Sequence, residues 1–395
     1  MECARCKGNL LCGKIKCPLL QKFRFLRVIE VGNRIDNPTP PSAFVGRVGY
    51  PKVYAGSLVA INPENFESIE LLDAPWAWKN NIEEVIKYRV SLIRTTKRLD
   101  VNLASNPDYY LMEVQEATAS IKPIEVEAEI NRVNKKLSFD DTMQPMGFNT
   151  LVDKFRVVEN PKIPDKVEKV YYDDIKAVDS LMYLKEKGFS TYYLQKLFSV
   201  GMFGYRKNRK LVPTRWSITA VHDIIGEEIK KEIATFDTID RHLLFSFEHF
   251  GNHFEVVLSP GDYSFQLIEI WIKKSFWSPN KTWVGVDGES ILRKKGYSVL
   301  GGGYYAARLP VLEYMQKLRK KASVLVIREI KPEYYAPLGV WVVEEGVRKG
   351  MNKKPQIFES FEDALLTACN RVVTNREVWM RHLSKHRQCT LTSFM

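Results

Sequence analysis

The sequence predicts an α+β fold built on a mixed, largely antiparallel sheet with packed helices, and three observations predict it. Residues 243–247, 254–258 and 265–271 are successive apolar and aromatic runs, divided by Gly251-Asn252 and Pro260-Gly261-Asp262, whose residue types make turns. Residues 216–233 place Ile218, Val221, Ile225 and Ile229 at three- and four-residue spacing, the pattern of an amphipathic helix. Strand-like and helix-like stretches do not alternate regularly, which disfavours a βαβ array with a parallel sheet.

The remaining elements follow in order. Residues 23–29 are apolar with basic punctuation, and Asn37-Pro38-Thr39-Pro40-Pro41-Ser42 interrupts regular structure because proline removes donors and fixes φ. Residues 44–51 and 53–60, β-branched and aromatic between glycines, predict short strands with tight turns. Apolar positions at helical spacing predict a helix over 81–97, with further helices over 110–119 and 126–133. The polar stretch 161–164 marks a boundary, and weaker helical patterns cover 177–187 and 191–198. Gly301-Gly302-Gly303 leads into a helix over 304–320. Residues 322–330 and 339–344 read as two buried strands, and 361–372 and 376–385 as closing helices. The expected organisation is a metal knuckle at 1–22, an α/β subdomain at 23–160, an α+β body at 161–386 and a flexible terminal peptide at 387–395.

With 45% hydrophobic residues, 20 Phe, 18 Tyr and 8 Trp, the 395-residue chain has ample material for a packed core, which excludes wholesale disorder. No apolar run approaches the roughly 20 residues that span a bilayer. Arg5, Lys7, Lys14 and Lys16 break up the N-terminal segment, so a signal peptide is not expected and the cytoplasm is. The net charge of +12 favours a polyanionic partner, nucleic acid or an anionic membrane surface.

Four cysteines, Cys3, Cys6, Cys12 and Cys17, cluster at the start. A Cys-x-x-Cys turn aims two thiolates at one ion, and two more complete a tetrahedral shell. Gly8 and Gly13 supply backbone freedom for so small a loop. The expectation is one structural zinc ion, with an iron–sulfur cluster as the alternative that uses the same ligands.

Residues 206–215 hold five basic side chains, Arg206, Lys207, Arg209, Lys210 and Arg215, with no acid, beside Tyr205 and Trp216. Such a block offers cations to phosphates and an aromatic ring to a base. At the other end, Gln388, Leu391 and Phe394 fit the spacing of the peptide that binds replication sliding clamps (PCNA). One tight helical turn would put Leu391 and Phe394 on one face as an apolar plug. Met395 stands where that peptide usually has an aromatic residue.

The run 199–204 together with 208–221, Asn208-Arg209-Lys210-Leu211-Val212-Pro213-Thr214-Arg215-Trp216 at its centre, resembles the signature of the archaeal DNA-repair proteins called NreA. The stretch from Thr39 to Gly56, the run Gly301-Gly302-Gly303-Tyr304-Tyr305-Ala306-Ala307-Arg308, the N-terminal cysteines and the tail are similar to that family too. The resemblance spans essentially the whole chain. It implies a role in DNA damage repair linked to the sliding clamp through the C-terminal peptide, and it implies no catalytic mechanism.

An alternative reading is a metal-dependent enzyme that processes nucleotides or nucleic acid. His222, Asp223, Glu248, His249, His253 and Glu255 could converge on a metal with Asp287 and Glu289, His249 and His253 lying on opposing strands of a hairpin. Asp262, Glu269 and Lys273 follow the order of a metal-nuclease hairpin, although one strand would hold the last two far apart. Gly301-Gly302-Gly303 could cradle a phosphate at a helix N-terminus, with Arg308 converging on a cleft shared with Arg209, Arg215 and Trp216. A third reading is an adaptor that binds proteins alone.

Overall fold

The computed structural model describes residue 6 and residues 8–11, 13–27, 31–134 and 145–383. Cys3, Cys12, Gln388, Leu391, Phe394 and Met395 lie outside the described residues. The chain divides into two compact units, one formed by Pro18–Ile225 and the other by Met1–Cys17 with Gly226–Met395.

The 18–225 unit contains, in order, α1 (Pro18–Arg27), β1 (Arg34–Thr39), β2 (Ala43–Val45), β3 (Lys52–Ala60), α2 (Ile82–Val90), β4 (Leu92–Asp100), α3 (Tyr109–Ala119), β5 (Ile124–Asn134) and β6 (Asn149–Val157). Helices α4 (Asp165–Tyr172), α5 (Ala177–Glu186) and α6 (Thr191–Ser199) follow, and α7 (Thr214–Ile233) begins here and runs into the second unit. The strands form a sheet of order β1-β5-β6-β4-β3-β2, antiparallel throughout except for the parallel pair β4 and β6. Several helices start where a short polar side chain satisfies free amide groups. Asn81 accepts from the amides of Glu83 and Glu84, Asp108 from Leu111 and Ser190 from Tyr193.

Two sequence expectations are corrected in this unit. Residues 126–133 form part of β5 and not a helix, because Val126, Ala128 and Ile130 alternate with Glu125, Glu127 and Glu129 and the strand pairs on both sides with β1 and β6. The helix expected over 81–97 ends at Val90, and β4 starts two residues later, with Ile93 and Thr95 buried in the sheet. Gly56 in β3 shows how closely elements meet: a Cβ there would lie 1.8 Å from the Thr95 carbonyl oxygen and 2.6 Å from the Tyr110 hydroxyl. That hydroxyl bridges the carbonyls of Ala55 and Thr95, locking α3 onto the sheet.

The second unit carries β7 (His242–His249), β8 (Asn252–Ser259), β9 (Ser264–Trp271), β10 (Trp283–Ser290), α8 (Gly302–Leu318), β11 (Ser323–Ile330), α9 (Trp341–Met351), β12 (Gln356–Phe358), α10 (Phe361–Cys369) and α11 (Arg376–Met380). Its sheet order is β10-β9-β11-β8-β7-β12. The expected hairpin of β7 and β8 is present, but β11 inserts between β8 and β9, antiparallel to the first and parallel to the second. On one face Leu244, Val257, Ile268 and Ile327 pack with Ala364, Ala368 and Trp379 of α10 and α11. On the other, Phe254 presses against Gly346 of α9, and Phe265 meets Tyr304 of α8 edge-on at 5.2 Å. Residues 341–344, expected as strand, open α9; the apolar run Val340–Val343 reads as strand by itself, and the helical period appears only with the polar stripe of Glu344, Glu345, Arg348 and Lys349 that follows. The α+β class therefore holds, with two mixed sheets. No helix among the described residues is long and apolar enough to cross a membrane.

Candidate nucleic-acid interface

The basic block lies in the 18–225 unit, and its shape is set by one buried cation. After α6 the chain turns through Gly201, whose φ of 75° and whose hydrogen in place of a Cβ allow contact with Ala104 and the Lys210 carbonyl; a Cβ would sit 2.5 Å from the first and 2.9 Å from the second. A single 3-10 turn, Arg206–Asn208, follows. Arg209 then points inward. Its Nε donates to the Gly204 carbonyl at 3.0 Å, its Nη2 to the Tyr171 carbonyl at 2.6 Å, and its guanidinium lies 4.7 Å over the Tyr171 ring. Burial lowers its pKa against smaller opposing influences of Tyr171 and Asp174, and the neighbouring Arg206 charge adds to the effect of burial. Arg209 is therefore a structural pin, and the expectation that it faces phosphate is not met.

Pinning Arg209 leaves Arg206, Lys207 and Lys210 exposed. Leu211 then donates its amide to the Val101 carbonyl at 2.8 Å and Val212 to the Ser199 carbonyl at 2.9 Å, which seats the segment against the turn after β4 and the end of α6. Helix α7 begins at Thr214, whose hydroxyl accepts the Val45 amide, while the Ser217 hydroxyl donates to the Gln195 carbonyl. With Val221 and Ile225 buried, Arg215 and Trp216 are left on the outer side of the first turn.

Residues that the linear sequence did not single out complete this surface. The turn joining β2 and β3 exposes Arg47, Val48, Tyr50 and Pro51, and the Tyr50 and Trp216 rings meet with centroids 5.3 Å apart at 52°. Both rings are nearly half exposed, Tyr50 at 47% and Trp216 at 45%. Lys52 and Tyr54 project from one face of β3, and Arg98 stands opposite Tyr54 in β4 on that same face. The amide of Val101, which follows β4, donates to Pro51, tying this region to Leu211. Among the described residues, Arg47, Lys52, Arg98, Lys207, Lys210 and Arg215 form no ion pair. Elsewhere in the unit cations do pair: Arg34 with Glu127, Arg89 and Lys196 with Asp73, and Lys154 with Glu129. An open set of cations around exposed rings is suited to phosphates and bases.

Arg308, expected to join this cleft, belongs to the other unit and is wholly buried. Its Nη1 donates to Glu289 at 2.8 Å and to Glu227 at 3.0 Å, so its charge is already answered. The glycine run does not form an open phosphate cradle either. A Cβ on Gly303 would lie 3.1 Å from Glu269 Oε1 and 3.7 Å from Arg328 Nη1, so the start of α8 rests on an internal ion pair.

The metal-enzyme constellation is also dispersed. His249 pairs with Asn252 and Glu248 with His253 across the hairpin, so His249 and His253 point to opposite faces of the sheet and no single ion can bridge them. His249 sits between Phe250 and Trp341, and burial, aided by the Lys349 charge, holds its pKa down to about 3. His253 Nε2 meets Glu255 at 2.7 Å, and His222, in the other unit, meets Gln195 at 3.0 Å. Asp262 precedes β9 and pairs with Lys321, Glu269 is held by Arg328, and Lys273 lies past the other end of that strand. Burial opposes ionisation of Asp287, but bonds from Lys294, Ser298 and the Gly288 amide outweigh it and hold the carboxyl below its usual range. That carboxylate organises its own loop. Among the described residues no group of three His, Cys, Asp or Glu side chains is placed to hold a metal ion. Cys6 is buried and Cys17 half-buried.

Two mixed α+β units, one of which bears an open basic and aromatic face, define the structural class. The chain belongs to the Nre family: residues 11–278 match the family model described as archaeal Nre, N-terminal, and residues 289–394 the model described as archaeal Nre, C-terminal. It is 61% identical to the DNA repair protein NreA of Archaeoglobus fulgidus over 100% of this chain and 98% of that protein. It is also 36% identical to the DNA repair protein NreB of the same organism, over the whole of both chains. With the DNA repair protein NreA of Haloferax volcanii it shares 32% identity over 87% of this chain and 84% of that protein. No solved structure gives a significant match.

Proposed function

We propose that this protein is a DNA-repair factor that holds nucleic acid on the basic and aromatic face of its 18–225 unit. The observation that carries the reading is the set of unpaired cations around Tyr50 and Trp216; the names of its relatives supply the repair context. The test is nucleic-acid affinity against salt for the wild type and for a variant carrying Lys52→Ala, Arg98→Ala, Lys210→Ala and Arg215→Ala. All four side chains are exposed, so the variant stays folded. Removing four phosphate contacts lowers the slope of log K on log salt by about 3. An unchanged slope in the folded variant contradicts the proposal.

In this proposal the C-terminal peptide, with Gln388, Leu391, Phe394 and Met395, docks on the sliding clamp and brings the protein to replicating DNA. The spacing of those residues supports the reading. Calorimetry against the clamp shows binding by the intact chain and none by a chain ending at Arg387. Equal binding by the two places the contact elsewhere.

The proposal gives the four N-terminal cysteines one structural zinc ion. Its support is the ligand spacing together with the backbone after Cys6: the amide of Asn9 donates to the Cys6 carbonyl and that of Gly13 to Leu10, with Gly8 and Gly13 at positive φ. The four thiolates would hold the ion in a closed shell that supplies folding energy and no open position for chemistry. Metal analysis finds one zinc per chain, lost when Cys6 and Cys17 are both changed to serine. Iron with visible absorbance instead identifies the cluster that uses the same ligands.

A further inference from the structure

Resting on the nucleic-acid reading above, we infer that the face selects single-stranded nucleic acid, with Trp216 and Tyr50 as the shelf on which an unpaired base stacks. Duplex binding by charge alone needs only cations, because a duplex presents phosphates and base edges while its base faces are stacked inside. This surface has more than cations. Trp216 and Tyr50 leave nearly half of their surface in water while touching each other at 5.3 Å and 52°, an angled pair whose outer sides are open. Large rings left in water cost apolar exposure that a lysine at the same position would avoid, and a clustered exposed apolar patch marks a binding site.

The arrangement continues along the chain. Tyr205 is exposed beside Arg206 and Lys207, and Tyr172, the most exposed tyrosine of the unit, is anchored through its neighbour Tyr171, the ring on which Arg209 lies. From there Lys210 leads to Leu211, which is bonded to Val101, which is bonded to Pro51 beside Tyr50. Exposed rings thus flank exposed cations along the segment from Tyr205 to Trp216. A single strand offers the matching groups, with phosphates on a flexible backbone and bases whose faces are free to stack.

The inference is tested with a single-stranded 20-mer and a duplex of the same length, at matched salt, on the full chain. The expected result is at least tenfold tighter binding of the single strand. Trp216→Ala weakens single-strand binding by about fivefold to a hundredfold, the range for losing one stacking platform. The same substitution removes no cation and so leaves the salt slope unchanged, and Trp216→Phe, which keeps a ring, restores most of the loss. Equal affinity for the two substrates with no effect of Trp216→Ala overturns the single-strand inference, while loss of binding in the four-cation variant would still uphold the charged face. No binding of either substrate at low salt overturns both.

Discussion

Replacing Arg308 with methionine lowers the stability of the unit that contains it by about 3–5 kcal/mol, the cost of breaking a buried ion pair by removing one partner. Arg308 is wholly buried, and its Nη1 reaches Glu227 and Glu289. Glu289 is itself 1% exposed and also receives Lys230 at 3.2 Å and the Tyr263 hydroxyl at 3.0 Å. Removing the guanidinium leaves two carboxylates sharing the single charge of Lys230 in a medium that solvates them poorly. Gly226 shows how tightly the group is enclosed, since a Cβ there would lie 2.8 Å from Arg308 Nη2. Thermal unfolding shows a fall of about 6–20 °C. The double change Arg308→Met with Glu289→Gln recovers part of that fall, because it removes one of the stranded charges. A melting temperature within about 2 °C of wild type contradicts the assignment.

The second large effect is a dependence on acid. His249 is enclosed by Phe250 and Trp341, and its folded pKa of about 3 lies below the ordinary value of 6.5. As pH falls through 6.5 the unfolded chain gains a proton at this site and the folded chain does not. Stability is therefore lost progressively on acidification, and the loss saturates near pH 3. At pH 4.5 this one group costs about 3 kcal/mol relative to neutral pH. His249→Phe removes the titrating group and keeps a ring in the aromatic site. Denaturant unfolding at pH 7 and pH 4.5 shows the variant gaining about 3 kcal/mol on wild type between the two conditions. A difference between variant and wild type that does not change with pH contradicts it.

Much of the architecture was legible where one periodicity dominated. Helix α7 shows its apolar stripe at Val221, Ile225 and Ile229, and the hairpin of β7 and β8 shows two apolar runs around Phe250-Gly251. The misreadings have physical causes. Residues 126–133 combine the helix-favouring Glu and Ala with a period of two, and pairing with β1 and β6 overrides the local preference. Helix α9 is buried on nearly every side, so Val340, Trp341, Val342 and Val343 look like a core strand. Insertion of β11 between β8 and β9 is a long-range pairing that no local pattern encodes.

The same division holds at the candidate site. The block from Arg206 to Trp216 stands out as a run, and Trp216 is where the structure leaves a ring exposed. Arg209 could not be told from its neighbours, because its role depends on the carbonyls of Gly204 and Tyr171. Lys52, Tyr54 and Arg98 were silent because they alternate with core residues on two strands and meet only through the register of β3 and β4. The signal that could have found Tyr50 is an aromatic residue in a Gly-rich turn between two strands, where no core lies behind it.

The most direct measurement is photo-cross-linking of the full chain to a single-stranded oligonucleotide, with the modified peptides identified by mass spectrometry. Cross-links are expected on Tyr50 and Trp216 and on the peptide that carries Lys210, suppressed by the four-cation substitutions. Cross-links confined to residues 226–383, or unchanged by those substitutions, would contradict it.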